Sequence, residues 1–371
     1  MITILHEPKP LDFSGNGLAF ELQGAGLIAF EGVLSKINEN ATFTEISKFE
    51  LTPDVAMKAK VQLGYLIKDY ISVNLPNLSN TEISANNLNS YRLQLYDRIL
   101  QGGQMQSVLS LTRNYSVLKG KIPFLKFPDF DIDVFSNTDK NFLNWIDYNI
   151  YLFSNANFFL HYFFNKTPQN IHLRAKIFYT DHSSEYQNIF TISAQSNSIL
   201  HFPCSEEKLS LNQYSPSKEI YKYQLALVDD SNNAKTNWIS FFLIDKPLYV
   251  REFAFVNNFG VFEFFYTKTK RTEKLTTKRK EYKKNLPINY KSSDAEIESI
   301  LEEAYNIFEI ETGSITEKES LNISNMLISE FLYEIVDNKY IRCQLIDGSS
   351  EIIPEDDVFS VKFSYRYAFD K

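Results

Sequence analysis

IHLRAKIFYTD (171–181) sets Ile171, Leu173, Ala175, Ile177 and Tyr179 at every second position, with His172, Arg174, Lys176 and Phe178 between them. Side chains of a strand point alternately to opposite faces, so this pattern describes a strand with one buried face. NIFTISA (188–194), IYKYQLALVDD (220–230) and WISFFLIDK (238–246) continue the rhythm, and SNNAKTN (231–237) reads as a hairpin loop. Short strands at regular spacing, punctuated by polar turns, predict an antiparallel β-sandwich.

The pattern extends in both directions. Upstream, FPDFDIDVFS (127–136) alternates acid and apolar residues, which predicts a strand with Asp129, Asp131 and Asp133 on one face. YNIYLFSNANFFLHYFF (148–164) reads as two strands around a turn. Nearer the N-terminus, 17–36 holds two strands with Gly24 and Gly26 between them, 41–53 and 91–100 are strands, and 77–90 is an Asn- and Ser-rich loop. The stretch 61–76 runs from a strand into a short helical or extended piece ended by Pro76. Residues 102–120 fit either a helix or a strand.

Downstream, LYVREFAFVNNFGVFEFFYTK (248–268) predicts two aromatic strands around a turn supplied by Asn257, Asn258 and Gly260. A run with nine basic and two acidic residues follows at 268–284. Thr316 and Glu319 form a capping-box pattern ahead of a helix at about 317–330. KYIRCQLID (339–347) and VFSVKFSYRYAF (358–369) close the chain as strands. The expected class is mainly β: multi-domain antiparallel β-sandwich modules with a small α+β C-terminal unit. The expected boundaries are an N-terminal β domain (1–120), a central β-sandwich domain (121–267), a basic arm or linker (268–290) and the C-terminal α+β unit (291–371).

Bulk properties bound the function. The chain has 371 residues, enough for two or three domains, with 31 Phe and 22 Tyr against 12 Gly and 2 Trp. Such a ring load suits strands, large cores and subunit interfaces. A net charge of −8 argues against general nucleic-acid binding. Two distant cysteines, Cys204 and Cys343, imply no disulfide framework. No basic, apolar leader opens the sequence, and no apolar run is long enough to span a bilayer, so neither export nor membrane insertion is expected.

No catalytic motif stands out. GNG and GAG lack the third glycine of a dinucleotide fingerprint, and Walker-type, GxSxG and HExxH patterns are absent. His161, His172, His182 and His201 share one forty-residue span, with His6 apart, but none are spaced as ligand pairs. They read as loop or strand-face residues. Cys204 near His201 has no oxyanion scaffold around it and reads as a small apolar side chain. An extended Asp129–Asp131–Asp133 strand cannot wrap a calcium ion, so a solvated face is expected there. No catalytic residue, cofactor or metal site is therefore expected.

The segment from Lys246 to the C-terminus resembles uncharacterised tail and virion structural proteins of phages and prophages of Bacteroidetes-type hosts. In those, two aromatic strands flank an "LNSLG" turn, which VNNFG (256–260) matches. The order ETGSITEKE, ISNMLISEF and YEIVDNKYIRCQLID is similar, and the closing "FxYxYA" element is matched by Phe363, Tyr365, Tyr367 and Ala368. The resemblance implies a virion protein of the tail, assembled in the host cytoplasm, at the tail tip or baseplate. Its partners would be other tail or baseplate proteins and further copies in a symmetric ring, with no specific nucleic acid.

The candidate interface is Phe253, Phe255, Asn257, Asn258, Phe259, Phe262 and Phe264 of the hairpin with Lys270, Arg271, Lys274, Lys278, Arg279 and Lys280 of the basic run. The alternative is a β-sandwich adhesin or carbohydrate-binding module; for ring platforms the sequence offers only Trp145 and Trp238, neither in an obvious platform. A tail-borne polysaccharide hydrolase is a third reading, since an acidic chain has carboxylates to spare.

Overall fold

A computed structural model describes residues 2–24, 28–38, 40–79, 84–123, 130–144, 149–286, 288–350 and 359–369. Trp145, Gly26 and Asp129 lie outside the described residues.

The chain is mainly β, with five mostly antiparallel sheets. In order, the strands begin with β1 (Ile2–His6), β2 (Leu11–Phe13), β3 (Ala19–Gly24), β4 (Ala29–Ile37), β5 (Phe43–Leu51) and β6 (Lys58–Gln62). Then come β7 (Ser84–Asn87), β8 (Asn89–Gln101), β9 (Gln104–Leu118), β10 (Asn149–Leu152), β11 (Phe159–Phe164) and β12 (Gln169–Tyr179). After these are β13 (Ser184–Ala194), β14 (Ser198–Pro203), β15 (Ile220–Asp229), β16 (Ile239–Leu243), β17 (Arg251–Val256) and β18 (Phe262–Thr267). The chain ends with β19 (Thr272–Lys283), β20 (Ile297–Glu311), β21 (Leu332–Val336), β22 (Lys339–Ser350) and β23 (Val361–Tyr367). The short α1 (Gly64–Ile67) and the longer α2 (Glu317–Ser324) interrupt them.

The chain divides into two compact units. The first is Met1–Ile244 with Val256–Glu263, and the second is Asp245–Phe255 with Phe264–Lys371. In the first unit, β1-β3-β6 and β2-β9-β8-β4-β5 contribute to one core around Phe20, Leu22, Phe30, Leu34, Leu93 and Leu95. β8 and β9 meet at Gly102 and Gly103, both at positive φ, which is the geometry of a two-residue hairpin turn. The sheet β10-β16-β15-β12-β13 carries the alternation of 171–181: Ile171, Leu173, Ala175, Ile177 and Tyr179 are buried, and the residues between them are partly exposed. A third sheet, β11-β14-β7, has FLHYFF and SILHFP buried on both faces.

The second unit is one seven-stranded sheet, β18-β17-β21-β22-β23-β20-β19, packed against α2. Its core gathers Phe253, Phe255, Phe265, Phe308, Met326, Phe363 and Tyr365. Thr316 caps α2 as the pattern predicts: its Oγ1 accepts from the Glu319 N–H and the Glu319 carboxylate reaches back to the Thr316 N–H.

Three expectations change, and one open reading is decided. Residues 132–138 form a helical turn, not a strand, because the Asp131 carboxylate accepts from the backbone N–H of Asp133 (2.8 Å) and Val134 (3.3 Å). A side chain that satisfies backbone donors two and three residues ahead starts a helix and competes with strand pairing. Residues 84–87, expected as loop, pair with β14, since ladder bonds use the backbone and need no apolar pattern. The two strands of 148–164 exist but do not pair with each other: β10 lies parallel to β16 and β11 antiparallel to β14. The ambiguous 102–120 is strand.

Candidate functional site

The predicted aromatic hairpin forms, but its rings are spent inside the chain. Phe253 and Phe255 are in the core of the second unit, and Phe264 is buried there too. The turn, which belongs to the first unit, buries Phe259 against Phe135 (5.0 Å between ring centroids) and Phe130 (5.8 Å). Phe262 is also buried, and Asn258 is half-buried. The Asn257 amide donates to the Leu143 carbonyl and the Glu263 carboxylate, both at 2.8 Å, while its oxygen accepts from the Phe259 and Val261 N–H groups. The turn also meets its own unit closely: the Lys121 N–H donates to the Asn258 carbonyl at 2.9 Å. Apart from the half-buried Asn258, these residues are buried, so the rings expected at an interface are already packed inside the chain. Alternating aromatics signal burial without saying whether a core or a partner does the burying.

The basic run has two fates. Arg271 points into the second unit, where the fully buried carboxylate of Glu334 collects four donors. These are Arg271 (3.2 Å), Arg251 (3.3 Å), Tyr365 (2.8 Å) and Tyr367 (2.9 Å). The Arg271 guanidinium also lies 4.1 Å from the centre of the Phe308 ring. Burial, then the Glu334 charge, pushes the Tyr365 hydroxyl pKa upward, so it stays a donor. Arg271 is thus a root for β19, which begins one residue later.

Lys270, Lys274, Lys278, Arg279 and Lys280 are exposed. The last four lie on β19, the edge strand of its sheet. β19 pairs with β20 along its whole length, from Thr272↔Glu309 to Lys283↔Ile297. Among the described residues, β20 meets β23 only over Phe308–Glu311. From Ile297 to Ile307, β19 and β20 therefore form a two-stranded ribbon that runs about 35 Å beyond that last pairing. The ribbon is solvated on both faces, with Leu275, Ile297, Ile300 and Leu301 exposed.

Charge is divided between its strands. β20 and its lead-in carry seven acidic residues between 294 and 311 and no basic one, facing the basic run of β19. Lys278 pairs with Glu302 (3.5 Å) and Glu303 (3.9 Å), Lys283 with Glu296 (2.7 Å), and Lys284 with Glu298. Arg279 and Lys280 have no acidic partner among the described residues. The sequence marked the basic run but read it as an arm or linker; Thr272–Lys283 is instead a paired strand, and its acidic complement was legible only as scattered glutamates.

A second surface lies on the outer face of β10-β16-β15-β12-β13. Tyr151 stacks on Phe242 (5.4 Å), Lys222 sits 4.7 Å from the Phe242 ring, Lys176 4.9 Å from Phe178, and Arg174 4.9 Å from Tyr186. Trp238 meets Tyr186 edge-on at 6.1 Å. Among the described residues, none of these three cations has a carboxylate partner.

Two histidines missed by spacing meet across β11 and β14, where His161 pairs in register with His201. His161 Nε2 lies 2.7 Å from the Phe262 carbonyl oxygen, which only accepts, so Nε2 carries the proton. His161 Nδ1 is then an acceptor, and His201 Nδ1, 2.5 Å away, donates to it. Burial holds both rings neutral: it drives the His161 pKa well below the ordinary value, with His201 adding to the effect, and lowers that of His201 to about 4. Strand pairing between segments forty residues apart brought them together, and no short-range signal encodes that. The others stay apart: His172 bonds Asp230 on a strand face (2.8 Å), and His182 sits in a turn at positive φ.

Cys204 is fully buried, and burial raises its thiol pKa well above the usual value. Among the described residues, no three of His, Cys, Asp and Glu converge as a metal-ligand set. No helix among them is long and apolar enough to cross a membrane. No known family matches the chain, and no curated protein matches it.

Proposed function

We propose that this chain is a structural subunit of a larger assembly, a tail-tip or baseplate component of a phage tail, built from β-sandwich modules. The observation that carries the reading is the β19–β20 ribbon. An isolated two-stranded ribbon is marginal in water, and this one leaves apolar residues on both faces and a sheet edge open. A neighbouring subunit that covers it removes both liabilities. The resemblance of the C-terminal segment to tail proteins supplies the kind of assembly. Peptide mass spectrometry and tag-directed imaging of purified particles test it: the chain should be present at a fixed stoichiometry to the tail tube, and its absence from intact particles would end the proposal.

The outer face of β10-β16-β15-β12-β13 supports a second reading, a carbohydrate-binding module for acidic glycans. Rings there give apolar contact to sugar faces, and Arg174, Lys176 and Lys222 are unspent on carboxylates. An array of acidic glycans should then give a signal that falls at least tenfold in Lys176→Ala/Lys222→Ala. A blank array removes this reading.

A further inference from the structure

We infer that the ribbon joins copies of this chain head to tail, the basic β19 of one copy pairing edge to edge with the acidic β20 of the next. The inference rests on the assembly reading above and names its partner. The argument begins with which edges are open. β19 closes its sheet, and the β20 edge from Ile297 to Ile307 meets no other described strand. Both strands thus present ladder groups outward, the ordinary substrate for β-augmentation.

Charge then selects among the possible pairings. Two β19 edges brought together would set Lys274, Lys278, Arg279 and Lys280 beside their own copies. Two β20 edges would do the same with Glu298, Glu302 and Glu303. Like charges directly opposite one another destabilise a sheet. Both two-fold arrangements are therefore disfavoured at several positions at once. β19 against β20 instead sets these cations against carboxylates. The ribbon already contains that pairing within one chain, where Lys278 meets Glu302 and Glu303 and Lys283 meets Glu296. A second β20 on the free edge of β19 repeats it, and it gives Arg279 and Lys280 the carboxylates they lack. Exposed Leu275, Ile300 and Leu301 gain diagonal neighbours in the widened sheet. Lysines on an edge strand commonly guard against association; here they guard against one partner and admit the other. A contact of this kind is heterologous, so it propagates into a closed ring or an open stack.

Native mass spectrometry and light scattering on the purified full chain test the pairing. The wild type should assemble beyond a dimer at low salt and weaken as salt rises. Arg279→Glu/Lys280→Glu breaks no ion pair within the chain and should weaken assembly about tenfold. Glu298→Lys/Glu302→Lys should weaken it likewise. A mixture of the two variants should recover mixed complexes, because each then offers the strand the other needs. Glu298 and Glu302 hold Lys284 and Lys278 within the chain, so circular dichroism should check that Glu298→Lys/Glu302→Lys keeps its ribbon; where it does not, Arg279→Glu/Lys280→Glu, which breaks no such pair, carries the test. A wild type that stays monomeric at high concentration would overturn the inference. So would assembly indifferent to both variants. None of these results touches the presence of the chain in particles, which the earlier experiment decides.

Discussion

His161 and His201 form a buried pair with one defined proton arrangement, and this makes acid a specific threat to the first unit. Their folded pKa values are depressed, so the unfolded chain takes up protons first as pH falls. Stability should be unaffected above pH 7, fall from about pH 6.5, and keep falling toward the His201 value of about 4. For His201 alone that interval corresponds to about 3 kcal/mol. Urea unfolding at pH 7 and pH 4.5 should show a gap that narrows in His201→Gln, and an unchanged gap would refute the account. The Glu334 carboxylate is the other residue on which much depends. Glu334→Gln leaves Arg251 and Arg271 without their acceptor charge and should cost about 3 kcal/mol, seen as a lower denaturant midpoint for the second unit. Arg271 carries a lesson about reading charge: within a basic run it looked like the surface residues around it. Only the tyrosines of VKFSYRYAF and a distant glutamate reveal that it turns inward.

Among the elements, the turn 257–261 is the most tightly specified. Gly260 has φ of +76°, and a Cβ there would sit 2.2 Å from the Lys119 carbonyl oxygen. A Cβ on Gly120 would meet the Asn258 carbonyl oxygen at the same distance. Gly260→Ala should therefore destabilise the first unit by about 2 kcal/mol or more. Gly260→Ala and Gly120→Ala together should cost less than the sum, because both force apart the same two segments. A purely additive result in thermal unfolding would contradict that shared contact. The strands were legible where one face is buried, as in the period-two alternation of 171–181 and the closing strand, and where an apolar run is buried throughout, as at Leu225–Val228 of 220–230. Strand β7 was not, because a ladder of backbone bonds needs no apolar pattern. The partners of β7, β10 and β11 were not legible either, since pairing across long stretches of chain is decided by packing and leaves no local mark. The ribbon was half legible: its basic run stood out, read as an arm or linker, and its acidic strand did not.

At the scale of the molecule, the two units do not correspond to two stretches of chain. Residues 256–263 belong to the first unit although 245–255 and 264–371 belong to the second. A chain ending at Ile244 should lack Phe259 and Val261 from the core around Phe13, Leu118 and Phe163, at a cost of about 3–5 kcal/mol. Hydrogen exchange should find that core less protected than in the full chain, and equal protection would show that the turn is dispensable. The same interleaving sets an order of events during synthesis. After Ile244 leaves the ribosome, nineteen more residues must follow before Glu263 emerges, a delay on the order of a second. Through that interval the first unit holds most of its sheets but not its last ring, so the nascent chain waits with an unfilled core, and the moment of its completion is timed by the arrival of a five-residue turn.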